Sequence, residues 1–175
     1  AVILRFHPDL LAERLGASKG AKTWDTAIMS LLGIIQLARY ILAGLDQRNN
    51  WTGDFPAGAQ VISLAVCALG YALVVWATAS NAYFSQIVRL QPERGQTVVT
   101  GGPYRFVRHP AYSGALLFEL AAPLLLASWW AFIPSGLAAI LLILRTALED
   151  RFLQAELAGY AGYVQQVRYR LVPGI

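Results

Sequence analysis

Residues 112–144 carry a single charge, Glu119, across 33 positions. Read as one helix, the stretch would be about 50 Å long. That exceeds a hydrocarbon core of about 30 Å. It contains Pro123 and Pro134, with the turn-like Ser128, Trp129 and Trp130 between them. The stretch therefore divides into two tightly connected helices, predicted over 110–127 and 130–153, that form a helical hairpin. The paired Trp suits an interfacial belt. Two further spans are predicted over 24–44 and 58–80, the second with no charged residue. Composition agrees: 57% of residues are hydrophobic and 14% charged, against about 25% charged in soluble domains. The expectation is a single-domain, all-α integral membrane protein with four transmembrane helices.

Basic residues then orient the spans. Four lie before the first span (Arg5, Arg14, Lys19, Lys22) and four in the loop after the second (Arg89, Arg94, Arg105, Arg108). Four more lie towards the C-terminus (Arg145, Arg151, Arg168, Arg170), but the loop after the first span has only Arg48. The positive-inside rule puts the three rich segments in the cytoplasm. Residues 84–109 become a cytoplasmic loop and 154–175 a cytoplasmic C-terminal segment, with a short helix and an extended end. The net charge of +4 is scattered among apolar spans, so it reads as orientation rather than nucleic-acid binding. Cys67 is alone in an apolar run and reads as a small packing residue. His7 and His109 are the only histidines, and no ligand spacing for a metal is present. Absence of any G-x-G and of βα alternation argues against a dinucleotide-binding domain.

The block GGPYRFVRHPAYSG, residues 101–114, holds the densest chemistry: Tyr104, Arg105, Arg108, His109 and Tyr112. Pro110 suits the first turn of a helix, where its missing N–H costs nothing. His109 then stands at a helix N-terminus, where anions are favoured. The plain alternative makes the arginines topology anchors and the tyrosines interfacial aromatics. Arg145 and Glu149 are four apart and share a helix face. Their plain alternative is a helix-end ion pair worth about 0.3–0.5 kcal/mol. Asp150 and Arg151 read as solvated charges. Glu119 falls about 13 Å into the third span, where an ionisable group is a functional candidate by default. It is equally a structural group, protonated or bonded to Arg39 or a neighbouring helix.

GPYRFVRHPAYSG, an apolar hairpin, and then RTALEDRFLQAELAGYAGYVQQVRYRLVPGI together resemble the isoprenylcysteine carboxyl methyltransferase family, which shares this half with phospholipid N-methyltransferases. The likeness runs from about Gln96 to Ile175. The segment LLAERLGASKGAKTWD also resembles the first cytoplasmic stretch of prokaryotic members, which have a further span before it. A fifth, N-terminal helix upstream of Ala1 is expected on that ground.

The resemblance implies S-adenosylmethionine as cofactor, in a cytoplasm-facing pocket. The pocket would be lined by Gln96, Thr97, Val98, Val99, Tyr104, His109, Pro110, Ala111, Tyr112 and Glu149. Arg145 matches the position implicated in handling the substrate. Two departures stand out: Gln96 where eukaryotic members often have His, and Glu149-Asp150 where Glu-Glu is usual. The implied reaction is methyl transfer to the carboxylate of a prenylcysteine or a similar small lipophilic acceptor, with no metal and no nucleic-acid partner. Methylation of a phospholipid amine is the alternative, and it would need His109 or Glu119 as base. Sterol reductases share a distant version of the topology but lack the His-Pro pair. A non-catalytic membrane scaffold or transporter would leave these motifs without a ligand.

Overall fold

The structure, a computed structural model, describes residues 22–173. Expectations for residues 1–21 and for Gly174 and Ile175 lie outside the described residues; they include most of the prokaryotic-like N-terminal stretch. Among the described residues the regular structure is entirely helical, with no strand. Helix α1 spans Thr23–Asn49, α2 Ala57–Ala79, α3 Pro110–Leu125, α4 Phe132–Glu156 and α5 Tyr160–Gln166. Two short 3-10 turns, Pro92–Arg94 and Gly102–Arg105, punctuate the segment between α2 and α3.

The ends of the helices follow from local chemistry. Helix α1 runs five residues past the predicted end because Asp46 turns inward rather than ending the helix. Its carboxylate accepts from the Thr52 N–H at 2.7 Å and from the Ser128 hydroxyl, so it ties the far end of α1 to the start of α4. Asn50 then closes the helix in the left-handed region, φ 53°, a conformation Asn tolerates. Pro110 occupies the first turn of α3, as predicted. Pro123 sits in its last turn, and Ala127 takes φ 50° shortly afterwards.

Helices α1, α2 and α4 are long and apolar enough to cross a membrane. Helix α3 has 16 residues, about 24 Å, and falls short of that criterion. Outward faces carry large exposed apolar side chains, among them Ile34, Val61, Leu69 and Ile140. The largest fully buried side chains are instead polar, headed by Arg39, Gln91, Thr78 and Thr146. Apolar outside and polar inside is the pattern expected where lipid, not water, is the surrounding solvent.

Packing is pairwise. Helix α2 lies on α3, α1 on α4, and α3 on α4. The closest approach is between α2 and α3. A Cβ added to Gly70 would stand 2.6 Å from the Gly114 carbonyl oxygen, and one on Gly114 would collide with the Gly70 carbonyl. The consecutive helices α1 and α2 make little contact, so a gap remains between them, backed by α3.

Candidate active site

The GGPYRFVRHPAYSG block is held in place by the C-terminal tail. Gly102 turns the chain at φ 57°, where a side chain would strike Ser80. The Arg108 and His109 N–H groups then donate to the carbonyls of Tyr169 and Arg170, both at 3.0 Å. Tyr163 donates its hydroxyl to the Tyr104 carbonyl at 2.6 Å, and Ser113 donates to the Leu171 carbonyl at 2.5 Å. Burial pushes the Tyr163 phenol well above its ordinary range, so this donor keeps its proton.

Asp150 is the hub beneath the block, not the solvated charge that the sequence suggests. It is buried. Arg108 meets it with two parallel bonds, Nε to Oδ1 at 2.8 Å and Nη2 to Oδ2 at 2.9 Å. His109 Nε2 lies 3.0 Å from Oδ1, and the Tyr160 hydroxyl donates to Oδ1 at 2.9 Å. Arg108 also donates to the carbonyls of Val167 and Arg168. These bonds to Asp150 raise the guanidinium pKa, burial opposing them, and Arg108 stays charged. A bidentate pair with satisfied neighbours locks geometry. Arg108 is thus a structural bolt between the block, α4 and the tail, rather than a topology anchor.

Above this platform lies a cavity of about 610 Å³, within the range of sites that enclose small molecules. Its walls include Gln96, Thr97, Val98, Val99, Tyr104, His109, Ala111, Tyr112, Arg145 and Glu149. The structure therefore gathers ten of the eleven residues singled out in the sequence around one hollow. Pro110 is buried at the start of α3 and does not line it. Gln96 spends its side-chain oxygen on the Gln91 N–H at 2.7 Å. Asn81 donates to the Tyr104 hydroxyl at 3.2 Å. Burial raises the Tyr104 pKa to about 12, so it is a neutral hydrogen-bonding group.

Arg145 and Glu149 face the cavity but are not paired with each other in the expected way. Arg145 Nε donates to Asp25 Oδ1 at 2.6 Å, Nη2 to Asp25 Oδ2 at 3.3 Å, and Nη2 again to the Gln86 carbonyl at 2.6 Å. The guanidinium lies 5.3 Å from the centre of the Tyr112 ring, within cation–π range. The Tyr112 hydroxyl in turn donates to Glu149 Oε2 at 2.6 Å. One relay thus runs from Asp25 on α1 through Arg145 and Tyr112 to Glu149.

The cavity wall also draws on α1, α2 and α3. Met29, Leu32, Gly33, Val74, Thr78 and Ala115 belong to it, as do Gln36 and Glu119. Glu119 accepts from Arg39 Nη1 at 2.7 Å and from Gln36 Nε2, and Gln36 also accepts from Arg39 Nη2. The bonded-to-Arg39 alternative is the one observed.

The sequence reading missed Asp25, Asn81, Asp150 and Tyr160. A signal existed for the first: an acid at the head of an otherwise uncharged helix turn asks for a partner. Asp150 carried only its departure from the usual Glu-Glu, since one acid in a charged helix end otherwise looks like any other. Among the described residues no group of acids, His and Cys is arranged to hold a metal.

No curated protein matches the chain. Residues 61–155, more than half of it, match the model of the isoprenylcysteine carboxyl methyltransferase (ICMT) family. That interval runs from α2 through the cavity-lining block to the end of α4. The chain belongs to this family of membrane methyltransferases.

Proposed function

We propose that the protein transfers a methyl group from S-adenosylmethionine to the carboxylate of a prenylcysteine or a similar small lipophilic acceptor. All four apolar helices cross the bilayer in this reading, α3 and α4 as a hairpin, and the cavity opens to the cytoplasm. The observation that carries it is one cavity whose wall combines polar groups, among them Tyr104, His109, Arg145 and Glu149, with apolar side chains such as Met29, Leu32 and Val74.

The cavity's donor set suits the cofactor. Glu149 keeps lone pairs beyond the one used by Tyr112, which fits an ammonium group. The Ala111 N–H lies in the first turn of α3, where a helix leaves N–H groups free for a carboxylate. Thr97, Val98 and Val99 line the same cavity and offer contacts to a nucleoside. When bound, S-adenosylmethionine supplies a methyl on cationic sulfur: the acceptor oxygen's lone pair forms the new C–O bond, the S–C pair stays on sulfur, and no proton moves.

Such a displacement needs alignment above all. Arg145 orients the acceptor carboxylate, the apolar side chains of the wall take its greasy portion, and Tyr104 and Tyr112 close the cavity against water. A carboxylate is already an anion at neutral pH, so no general base is required. An amine acceptor would need one. Glu119 is tied to Arg39 and Gln36, which favours the carboxylate.

Purified protein in detergent is expected to bind S-adenosylmethionine by calorimetry. It should move label from methyl-labelled cofactor onto prenylcysteine free acids in preference to total membrane lipid amines. No heat and no thermal shift at millimolar cofactor would overturn every methyltransferase reading.

A further inference from the structure

We infer that Asp25 is a positioning residue that holds Arg145 in a deliberately weakened state, so that it offers the acceptor carboxylate one nitrogen rather than a fork. The inference rests on the carboxylate-acceptor reading above and concerns a residue on α1, outside the stretch that matches the family model.

A guanidinium has five N–H groups: one on Nε and two on each Nη. Asp25 takes the Nε–H and one on Nη2, and the Gln86 carbonyl takes the other on Nη2. Only Nη1 has no protein hydrogen bond among the described residues. Both edges through which Arg grips a carboxylate bidentately, Nε with Nη2 and Nη1 with Nη2, require Nη2. An acceptor carboxylate is therefore left a single-nitrogen contact. Asp25 is fully buried and Arg145 6% exposed, so the acid neutralises most of the charge that the acceptor would meet.

This arrangement resolves a conflict in the chemistry. The acceptor oxygen must be held in line with the methyl group, yet the lone pair that attacks must stay available. A full fork would bind the ground state tightly and lose that attraction as charge leaves the oxygen, which raises the barrier. Asp25 also accepts from the Val88 N–H at 2.7 Å. The same carboxylate thus ties down Val88, which lines the cavity, and sets the pose of Arg145.

The test compares Asp25→Asn with wild type, using a prenylcysteine free acid and its methyl ester. Asn keeps an acceptor for the Val88 N–H but removes the charge. The expected result is tighter binding of the acid by about tenfold, the scale of one charge-assisted hydrogen bond. Ester affinity should stay within about twofold, and kcat on the acid should fall although its KM improves. A purely structural Asp25 predicts that acid and ester weaken together, and that outcome overturns the inference. A measurement on wild type guards against misfolding of the variant: acid should bind within about tenfold of ester, because Arg145 is already compensated. A preference above about a hundredfold would show an uncompensated guanidinium and overturn it as well. If wild type binds cofactor but neither acid nor ester, the carboxylate reading itself fails, and this inference falls with it.

Discussion

Tyr112 donates its hydroxyl to Glu149 Oε2 at 2.6 Å, joining the first turn of α3 to the last third of α4. The bond orients the Glu149 carboxylate on the cavity wall. It makes Tyr112 a partner of Glu149 as well as a stacking surface for Arg145.

Glu149→Ala is expected to weaken S-adenosylmethionine binding far more than acceptor binding. Tyr112→Phe should weaken the cofactor more mildly, by up to about tenfold, the loss of one hydrogen bond to a charged group. Calorimetry with each ligand separately checks both. Equal loss of cofactor and acceptor in Glu149→Ala would remove it from the cofactor site.

The Arg39–Glu119 pair is expected to be structural. Removing one partner leaves a buried charge alone, with a cost of about 3–5 kcal/mol, so Arg39→Met should sharply lower the thermal midpoint. The double change Arg39→Met with Glu119→Leu should recover most of that midpoint and retain methyl transfer. A stable but inactive double variant would assign Glu119 a role in the reaction.

At the α2–α3 contact, Gly114→Ala should cost about 1–3 kcal/mol through overpacking, because the new methyl meets the Gly70 carbonyl and Val74. Gly33→Ala and Gly136→Ala have open space at the Cβ position and should leave the midpoint nearly unchanged. Thermal unfolding of the three variants, in one detergent, makes the comparison.

Alkaline pH should unfold the protein through its buried phenols. Tyr104 is raised to about 12, and Tyr160 and Tyr163 are also raised, in each case chiefly by burial. A group with a folded pKa above its unfolded value of about 10 contributes fully below pH 10. That contribution declines as pH rises towards 12. The midpoint should therefore drop steeply between pH 10 and 12, and less steeply in Tyr104→Phe. Thermal scans across that interval decide it.

Three of the long apolar helices were legible in the chain because hydropathy is a local property. Hydropathy over some twenty residues marks a membrane helix wherever its neighbours lie. Pro110 punctuates a helix start by its own backbone preference. Ten of the eleven residues chosen from the motifs do meet at one cavity, since a single loop and the turns on either side of it carry most of them. Partner choice was not legible. The sequence offered Glu149, four residues along, as the natural mate of Arg145, yet the guanidinium binds Asp25, 120 residues away. Burial turned Asp150 from a routine surface acid into the group on which Arg108, His109 and Tyr160 converge. A buried charge must be matched by whatever opposite charge the packed helices bring within reach, and only the three-dimensional arrangement of α1 against α4 says which one that is.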